Sequence, residues 1–434
     1  MSTNARPLGL WTAIALVVGS MIGSGVFLLP ATLASFGAAS LLGWGLTLAG
    51  ALLLALVYSW LARVNPADGG AYAYARQAFG DGAGFFVAWS YWTCTWCGNA
   101  ALAVAFAGSL GAVWPAATAT PMRGAISALA ALWFCTLVNL AGLREAGRMQ
   151  IITTILKLVP LVLFGLLGLF WVKASSYQPF NPSGQPWMTV TTTVAALTLW
   201  AFLGLEAATI PAGAIRDPER TVPRATIIGV LIAGLATMLT CTVVIGLLPA
   251  DVLQKSAAPM AEAASRLWGP MAGVGVGVVA TISCFGALNG WVLLQAQVPM
   301  AAARDGLFPA VFSRLDQRGT PWFGLLLSTC LATALAAANF SESLVTLFKF
   351  SILLSTASAL LPYAVSVAAW FKMNPASSIA AKLAGAGALV YSLWALIGTG
   401  SEALIWGAGL LLAGLPIYLW QRRGASMAAN SPPA

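Results

Sequence analysis

Apolar residues along this chain run in long, nearly uninterrupted blocks separated by short polar stretches. Blocks of roughly 20 apolar residues are the length a helix needs to cross a bilayer core, and about twelve can be drawn. They fall near 9–34, 41–62, 83–113, 124–141, 150–172, 189–214, 224–248, 270–301, 321–338, 344–371, 380–399 and 402–420. The first opens on Arg6 and Pro7 without a small-residue cleavage site, so it reads as a retained helix and not as a signal peptide. One short stretch has a different pattern: Ala71–Phe79 is amphipathic and follows the turn sequence Pro66-Ala67-Asp68-Gly69-Gly70. The expected fold is an all-α membrane protein. Residues 1–424 form a single transmembrane domain, and 425–434 is a polar tail read as disordered.

Two blocks are interrupted in matching ways. Gly23-Ser24-Gly25 interrupts the first and Phe202-Leu203-Gly204-Leu205-Glu206 the sixth. Hydrocarbon cannot hydrogen-bond free N–H and C=O groups, so a spanning helix breaks only where those groups line a cavity. Breaks in corresponding segments of two halves predict an inverted-repeat transporter with its substrate site at the breaks. The half-helix that starts at Gly25-Val26-Phe27 offers free N–H groups and a positive dipole end, suited to a carboxylate. The segments ending near Met21 and Leu203 offer free carbonyls, suited to an ammonium. A zwitterionic amino-acid head group meets both demands.

Composition supports this reading. The 434 residues are 59% hydrophobic and 8% charged, with a mean hydropathy of +0.86, against about 25% charged in a soluble domain. The net charge of +9 could suggest nucleic acid, but its placement indicates topology. Alternating the loops from a cytoplasmic N-terminus leaves only Arg123, Lys173, Lys255 and Arg266 outside, which puts both termini in the cytoplasm. Cys94 and Cys97 form a C-x-x-C one helical turn apart in an apolar segment. With no second pair and no histidine in the chain, packing is the reading, and no metal or cofactor is expected.

Buried charge narrows the chemistry further. Glu206 is the one acid deep inside a block, and intramembrane carboxylates by default mark substrate or proton pathways. It could exchange a proton, couple to a cationic substrate, or serve as a protonated structural group. Lys157 lies near the middle of the fifth block, with snorkelling to the interface as the plainer alternative. Lys349 sits nearer a segment end, where snorkelling fits. Trp200 precedes the second break and Trp291 follows Asn289-Gly290, away from either interface. Either ring could pack, or take a cation on its face. Asp217-Pro218-Glu219-Arg220 and Asp305-Gly306-Leu307-Phe308-Pro309 are loop sequences that could equally form a cytoplasmic latch.

Taken together, Gly19–Pro30, Gly69–Arg76, Leu199–Glu206, Asp217–Arg220 and Asp305–Pro309 resemble the amino acid–polyamine–organocation transporters. The likeness covers essentially the whole chain. It is strongest to the bacterial basic amino acid/polyamine antiporters, especially those that exchange arginine and agmatine. The resemblance implies a five-plus-five inverted repeat with two extra helices, alternating access, an inner-membrane location and small-molecule partners, an amino acid and an amine. A homodimer is suggested on the same ground.

Site residues carry over position by position. Ser24 and Gly25 match carboxylate binders, and Met21, Trp200 and Leu203 match donors of backbone carbonyls to the α-amino group. Trp291 matches the aromatic that stacks on the guanidinium, and Asn99 and Ser355 match polar groups that bond its nitrogens. Trp200 also matches a gate over the ligand, and Tyr91, Glu206 and Tyr363 match an outer gating cluster. Thr95 stands where the arginine exchangers have cysteine, at a position used through its backbone carbonyl. Lys157 departs from them and resembles the lysine that replaces a sodium ion in proton-coupled relatives. A proton-coupled or exchanging transporter of neutral amino acids or polyamines in the same fold is the alternative.

Overall fold

The computed structural model describes residues 9–65, 69–141, 143–210, 212, 215–338 and 343–429, with the side chains of 143–155 and 423–429 left aside. Arg6, Pro7, the turn residues Pro66–Asp68, and residues 430–434 lie outside the described residues. Every described segment is helical or irregular, and no β-strand is present among the described residues.

In chain order the helices are α1 (Leu10–Met21), α2 (Gly25–Leu33), α3 (Ser40–Val64), α4 (Ala71–Phe79), α5 (Asp81–Val113), α6 (Pro121–Leu140), α7 (Leu143–Gly168) and α8 (Trp187–Leu199). There follow α9 (Pro218–Leu247), α10 (Ala250–Leu253), α11 (Pro259–Trp268), α12 (Pro270–Arg304), α13 (Trp322–Ala338), α14 (Leu344–Met373), α15 (Ile379–Gly398) and α16 (Gly400–Ala429). Among the described residues, eight stretches are long and apolar enough to cross a membrane, the first spanning α1 to α3. Shorter apolar helices cover Leu156–Trp171, Trp187–Phe202 and Trp322–Ala337.

Most boundaries fall within a few residues of those read from the apolar blocks. The exceptions have local causes. α11 lies in a stretch read as loop; Pro259 opens it, Glu262 sits in its first turn, Arg266 in its last, and Gly269 closes it at φ 88°. Each is a standard terminus signal, but the helix is too short and polar to register as a span. α16 keeps a helical backbone to Ala429, past residue 425 where the polar tail was drawn. Ala425, Met427, Ala428 and Ala429 are good helix formers.

α5 is the central column. It packs along α12 and α14, while α3 runs against α9, α9 against α1, and α7 against α12. Small residues permit these approaches: a Cβ on Gly43 would meet the Val194 side chain, and one on Gly50 the Tyr391 ring. α15 and α16 point large apolar side chains outward, among them Ile397, Ile405, Trp406 and Trp420, as a lipid-facing surface requires. Cys94, Cys97, Cys135, Cys241 and Cys284 are buried, and Cys330 is exposed on α13.

Candidate functional site

The first break is three residues long. α1 ends at Met21, Ile22–Ser24 are irregular, and α2 starts at Gly25. Helix ends leave carbonyls without partners at one side and N–H groups at the other. Lys157 serves the carbonyl side. Its Nζ donates to Gly19 O at 2.6 Å and Ile22 O at 2.5 Å, and the side chain is fully buried. Snorkelling is therefore excluded for Lys157, whereas Lys349 is exposed. Met21 is buried, and its carbonyl accepts from Gly23 N at 3.0 Å. Ser24 caps α2, with its carbonyl taking Phe27 N and Leu28 N, each at 3.1 Å.

The second break is longer than its sequence suggests. α8 stops at Leu199, a 3-10 turn covers Trp200–Phe202, Leu203 is extended, and Gly204 has φ 97°. The expected continuation of an α-helix to 214 is not observed. Among the described residues, 3-10 structure at Ala207–Thr209 and Ala212 follows before α9. Gly204 explains the geometry twice over. Its φ is one that side-chain-bearing residues rarely adopt, and a Cβ there would lie 2.8 Å from Ser20 Cβ. The two breaks thus touch, with Gly204 against the last turn of α1. The Trp200 carbonyl is engaged by Leu203 N at 3.3 Å.

Aromatic and polar residues gather around this contact. Trp200 Nε1 donates to Ser24 Oγ at 3.2 Å, bridging one break to the other. Trp291 Nε1 donates to Ser20 O at 3.3 Å. The two rings are nearly parallel, centroids 6.3 Å apart and planes at 27°, and Phe348 meets Trp200 edge-on at 6.5 Å. Gly25 is small of necessity, since a Cβ would press on Trp200 and Ala201 at 3.3 Å. Across the site, a Cβ on Gly98 would come within 3.1 Å of the Trp200 ring and 3.2 Å of Ser355 Oγ.

Asn99 and Ser355 are both buried there. Ser355 Oγ donates to Cys94 O at 2.8 Å. Asn99 Nδ2 donates to Gln295 Oε1 at 2.6 Å, and its Oδ1 is buried with no partner among the described residues. Thr95 turns its hydroxyl back along α5, to Trp92 O at 2.6 Å.

Met21, Ser24, Gly25, Asn99, Trp200, Leu203, Trp291 and Ser355 are all buried around the two breaks. Two residues the sequence reading passed over complete the group. Ser20 anchors Trp291 and receives Gly204; nothing in its local sequence marks it. Gln295 holds Asn99, and an amide one turn after Trp291 in an apolar helix was a usable signal.

Glu206 has a separate environment. Tyr91 OH donates to its Oε1 at 2.6 Å and Tyr363 OH to its Oε2 at 2.8 Å. Tyr58 packs edge-on against Tyr363 at 5.8 Å, lies 6.3 Å from Tyr74, and bonds Ser366 at 3.1 Å. Just beyond, Gly69 N donates to Ile210 O at 3.3 Å, and a Cβ on Gly70 would meet Thr209 Oγ1 at 2.9 Å. These neighbours lie at the arginine-rich end of the bundle, beside α4. Tyr91 lies nearer the Asp81 end of α5 and Tyr363 nearer the Met373 end of α14. Were the termini cytoplasmic, as the loop charges lead one to expect, this end would be the inner one and not the outer one that the resemblance implies.

At that same end Arg76 joins three elements. Its Nε lies 2.7 Å from Asp81 Oδ1 and its Nη1 3.2 Å from Asp305 Oδ2, which also accepts from Tyr72 OH at 3.3 Å. The Asp81 carboxylate raises the Arg76 pKa further above its ordinary value. The Gly69–Arg76 and Asp305–Pro309 sequences are thus one structural joint, tying α4 to the start of α5 and the end of α12. Its groups are substantially exposed, so each pair contributes about 1 kcal/mol or less.

The arrangement offers an anion the start of α2, an ammonium the carbonyls of the breaks, and a cationic side chain the Trp291 face and the Asn99 oxygen. Comparison with known proteins agrees in kind. Residues 8–420 match the amino acid permease family. The chain is 35% identical over 343 residues to the cadaverine/lysine antiporter of Escherichia coli (strain K12), covering 77% of this chain and 75% of that protein. It is 30% identical over 422 residues to the putrescine transporter PotE of the same strain, covering 96% of each. The PotE of Haemophilus influenzae is 30% identical over 426 residues, covering 96% of this chain and 98% of that one.

Proposed function

The chain belongs to the amino acid–polyamine–organocation superfamily, in the branch of basic amino acid/polyamine antiporters, and from that premise we propose that it exchanges a cationic amino acid for its decarboxylated amine. It is a multi-pass membrane transporter and not an enzyme. Twelve crossings in a five-plus-five inverted repeat with two added helices, and cytoplasmic termini, fit the loop charges and the two facing breaks. Arginine and agmatine are the leading pair. Lysine and cadaverine are the second, favoured by the name of the relative at 35% identity.

One observation carries the reading. The N-terminus of α2, with no intrahelical acceptor for its first N–H groups, lies beside Trp200, whose ring neighbours Trp291. Ser24 and Gly25 would take the carboxylate, and the Met21, Trp200 and Leu203 carbonyls the α-ammonium. Trp291, Asn99 and Ser355 would take the side-chain cation. Agmatine and cadaverine lack the carboxylate, so they would use the side-chain half of the site and the carbonyls alone. Glu206 with Tyr91 and Tyr363 would form the inner gate.

A thermal-shift screen against amino acids and amines tests this. A ligand at 100 times its Kd stabilises the folded state by about 2.7 kcal/mol. Arginine, agmatine, lysine or cadaverine should raise the melting temperature, and stabilisation by neutral amino acids alone would overturn the proposal. Trp291→Ala should weaken cation binding by up to about 2 kcal/mol through lost stacking and cation–π attraction, with Trp291→Phe retaining part. Equal affinity in wild type and Trp291→Ala would remove Trp291 from the site.

A further inference from the structure

The Asn99 carboxamide can be a hydrogen-bond donor or an acceptor toward a substrate, depending on which way it is turned. Its Nδ2 donates to Gln295 Oε1 at 2.6 Å, which leaves Oδ1 as a buried acceptor with no partner among the described residues. Gln295 has the same ambiguity, and it is resolved from the far side. Its Nε2 donates to Leu325 O at 3.4 Å and to Thr329 Oγ1 at 2.9 Å. The Leu325 carbonyl can only accept. Thr329 Oγ1 lies 2.9 Å from that same carbonyl and 2.9 Å from Thr136 Oγ1, so its proton has acceptors apart from Gln295 and a lone pair is left for Gln295 Nε2.

The polarity therefore propagates in one direction. A main-chain carbonyl of α13 demands the Gln295 NH2, which turns Oε1 toward Asn99; Oε1 demands the Asn99 NH2, which turns Oδ1 away from Gln295. Reversing Asn99 alone would set two amide oxygens 2.6 Å apart. Reversing both would set the Gln295 oxygen against the Leu325 carbonyl. Gln295 is fully buried and lies one helical turn beyond Trp291, on the same face of α12.

We infer that Gln295 is a positioning residue that sets substrate specificity: it locks Asn99 as an acceptor, so the site selects side chains that end in N–H donors. This rests on the antiporter reading above. An ammonium or guanidinium satisfies the orphan oxygen, whereas a side chain ending in an oxygen or a methyl group leaves it unpaired, which is costly in a buried site.

The test measures dissociation constants in nanodiscs for arginine and for lysine, each against norleucine, whose side chain ends in a methyl group and carries no donor. Wild type should bind at least one of the cationic amino acids and prefer it to its uncharged partner. Gln295→Met, which keeps the volume and removes the amide, should lower that preference by about tenfold. In an Asn99→Ala background, Gln295→Met should leave the ratio unmoved. Should Gln295→Met aggregate, Gln295→Ala also removes the amide and should lower the same ratio. An unchanged preference in Gln295→Met or Gln295→Ala would overturn the inference, as would an equal fall in the Asn99→Ala background. Failure of wild type to bind any cationic amino acid or amine would instead overturn the antiporter reading.

Discussion

Lys157→Met should reduce transport by roughly a hundredfold while the protein still reaches the membrane. The side chain is almost isosteric, so packing is conserved and only the ammonium is lost. That ammonium donates to Gly19 O and Ile22 O, the carbonyls freed where α1 stops. A hydrogen bond to a charged group contributes about 1.5–3 kcal/mol, so losing both removes roughly 3–6 kcal/mol from the break. The positive charge also offsets the negative end of the α1 dipole. Without it the α1 end would re-form helix or admit water, and Ser20, which anchors Trp291 and abuts Gly204, would move with it. Uptake by Lys157→Met at the wild-type rate across pH 5 to 8 would show that transport does not depend on the ammonium holding this break.

The second large effect is expected at Glu206. It is the one carboxylate buried among the described residues, and it accepts from two buried phenols. Glu206→Leu would strand both hydroxyls at about 1–3 kcal/mol each, and should cripple assembly of the Tyr91–Glu206–Tyr363 cluster. Glu206→Gln is the more informative change. It keeps one acceptor and the volume but cannot ionise, so transport should persist with a flattened pH profile between pH 5 and 8. The dicationic amine should be affected more than the amino acid, since it has more charge to balance on passing a carboxylate. Radiolabel exchange in liposomes decides it: a Glu206→Gln profile identical to wild type would remove any proton-sensing role.

Much of this was legible in the chain because a bilayer makes hydrophobic length and helix breaks unusually explicit. The apolar blocks located the helices, and Gly23–Gly25 and Phe202–Glu206 located the two breaks. What escaped were properties of pairs. Gly204 was read as a local break, but its demand for glycine comes as much from Ser20, distant in sequence, as from its own φ. The sixth block was drawn to 214 on its apolar content, yet among the described residues Gly204 and the turns that follow leave 3-10 structure before α9. Gln295 was passed over because an amide acquires meaning only when its partner is known. The end of the bundle at which Glu206 lies was available, since the positions of Tyr91 and Tyr363 along α5 and α14 imply it, but helix direction had to be followed explicitly.

Exchange of a cationic amino acid for its amine moves charge, and charge can be measured directly. Arginine for agmatine, or lysine for cadaverine, swaps one positive charge for two, so each cycle moves one net charge. A membrane potential then acts on it by about 2.3 kcal/mol per 100 mV. The measurement is uptake of labelled arginine and lysine into proteoliposomes loaded with agmatine or cadaverine, with the potential clamped. Uptake should require the internal amine, slow when the interior is negative and quicken when it is positive. Equal uptake into empty vesicles, or exchange indifferent to the potential, would contradict the account.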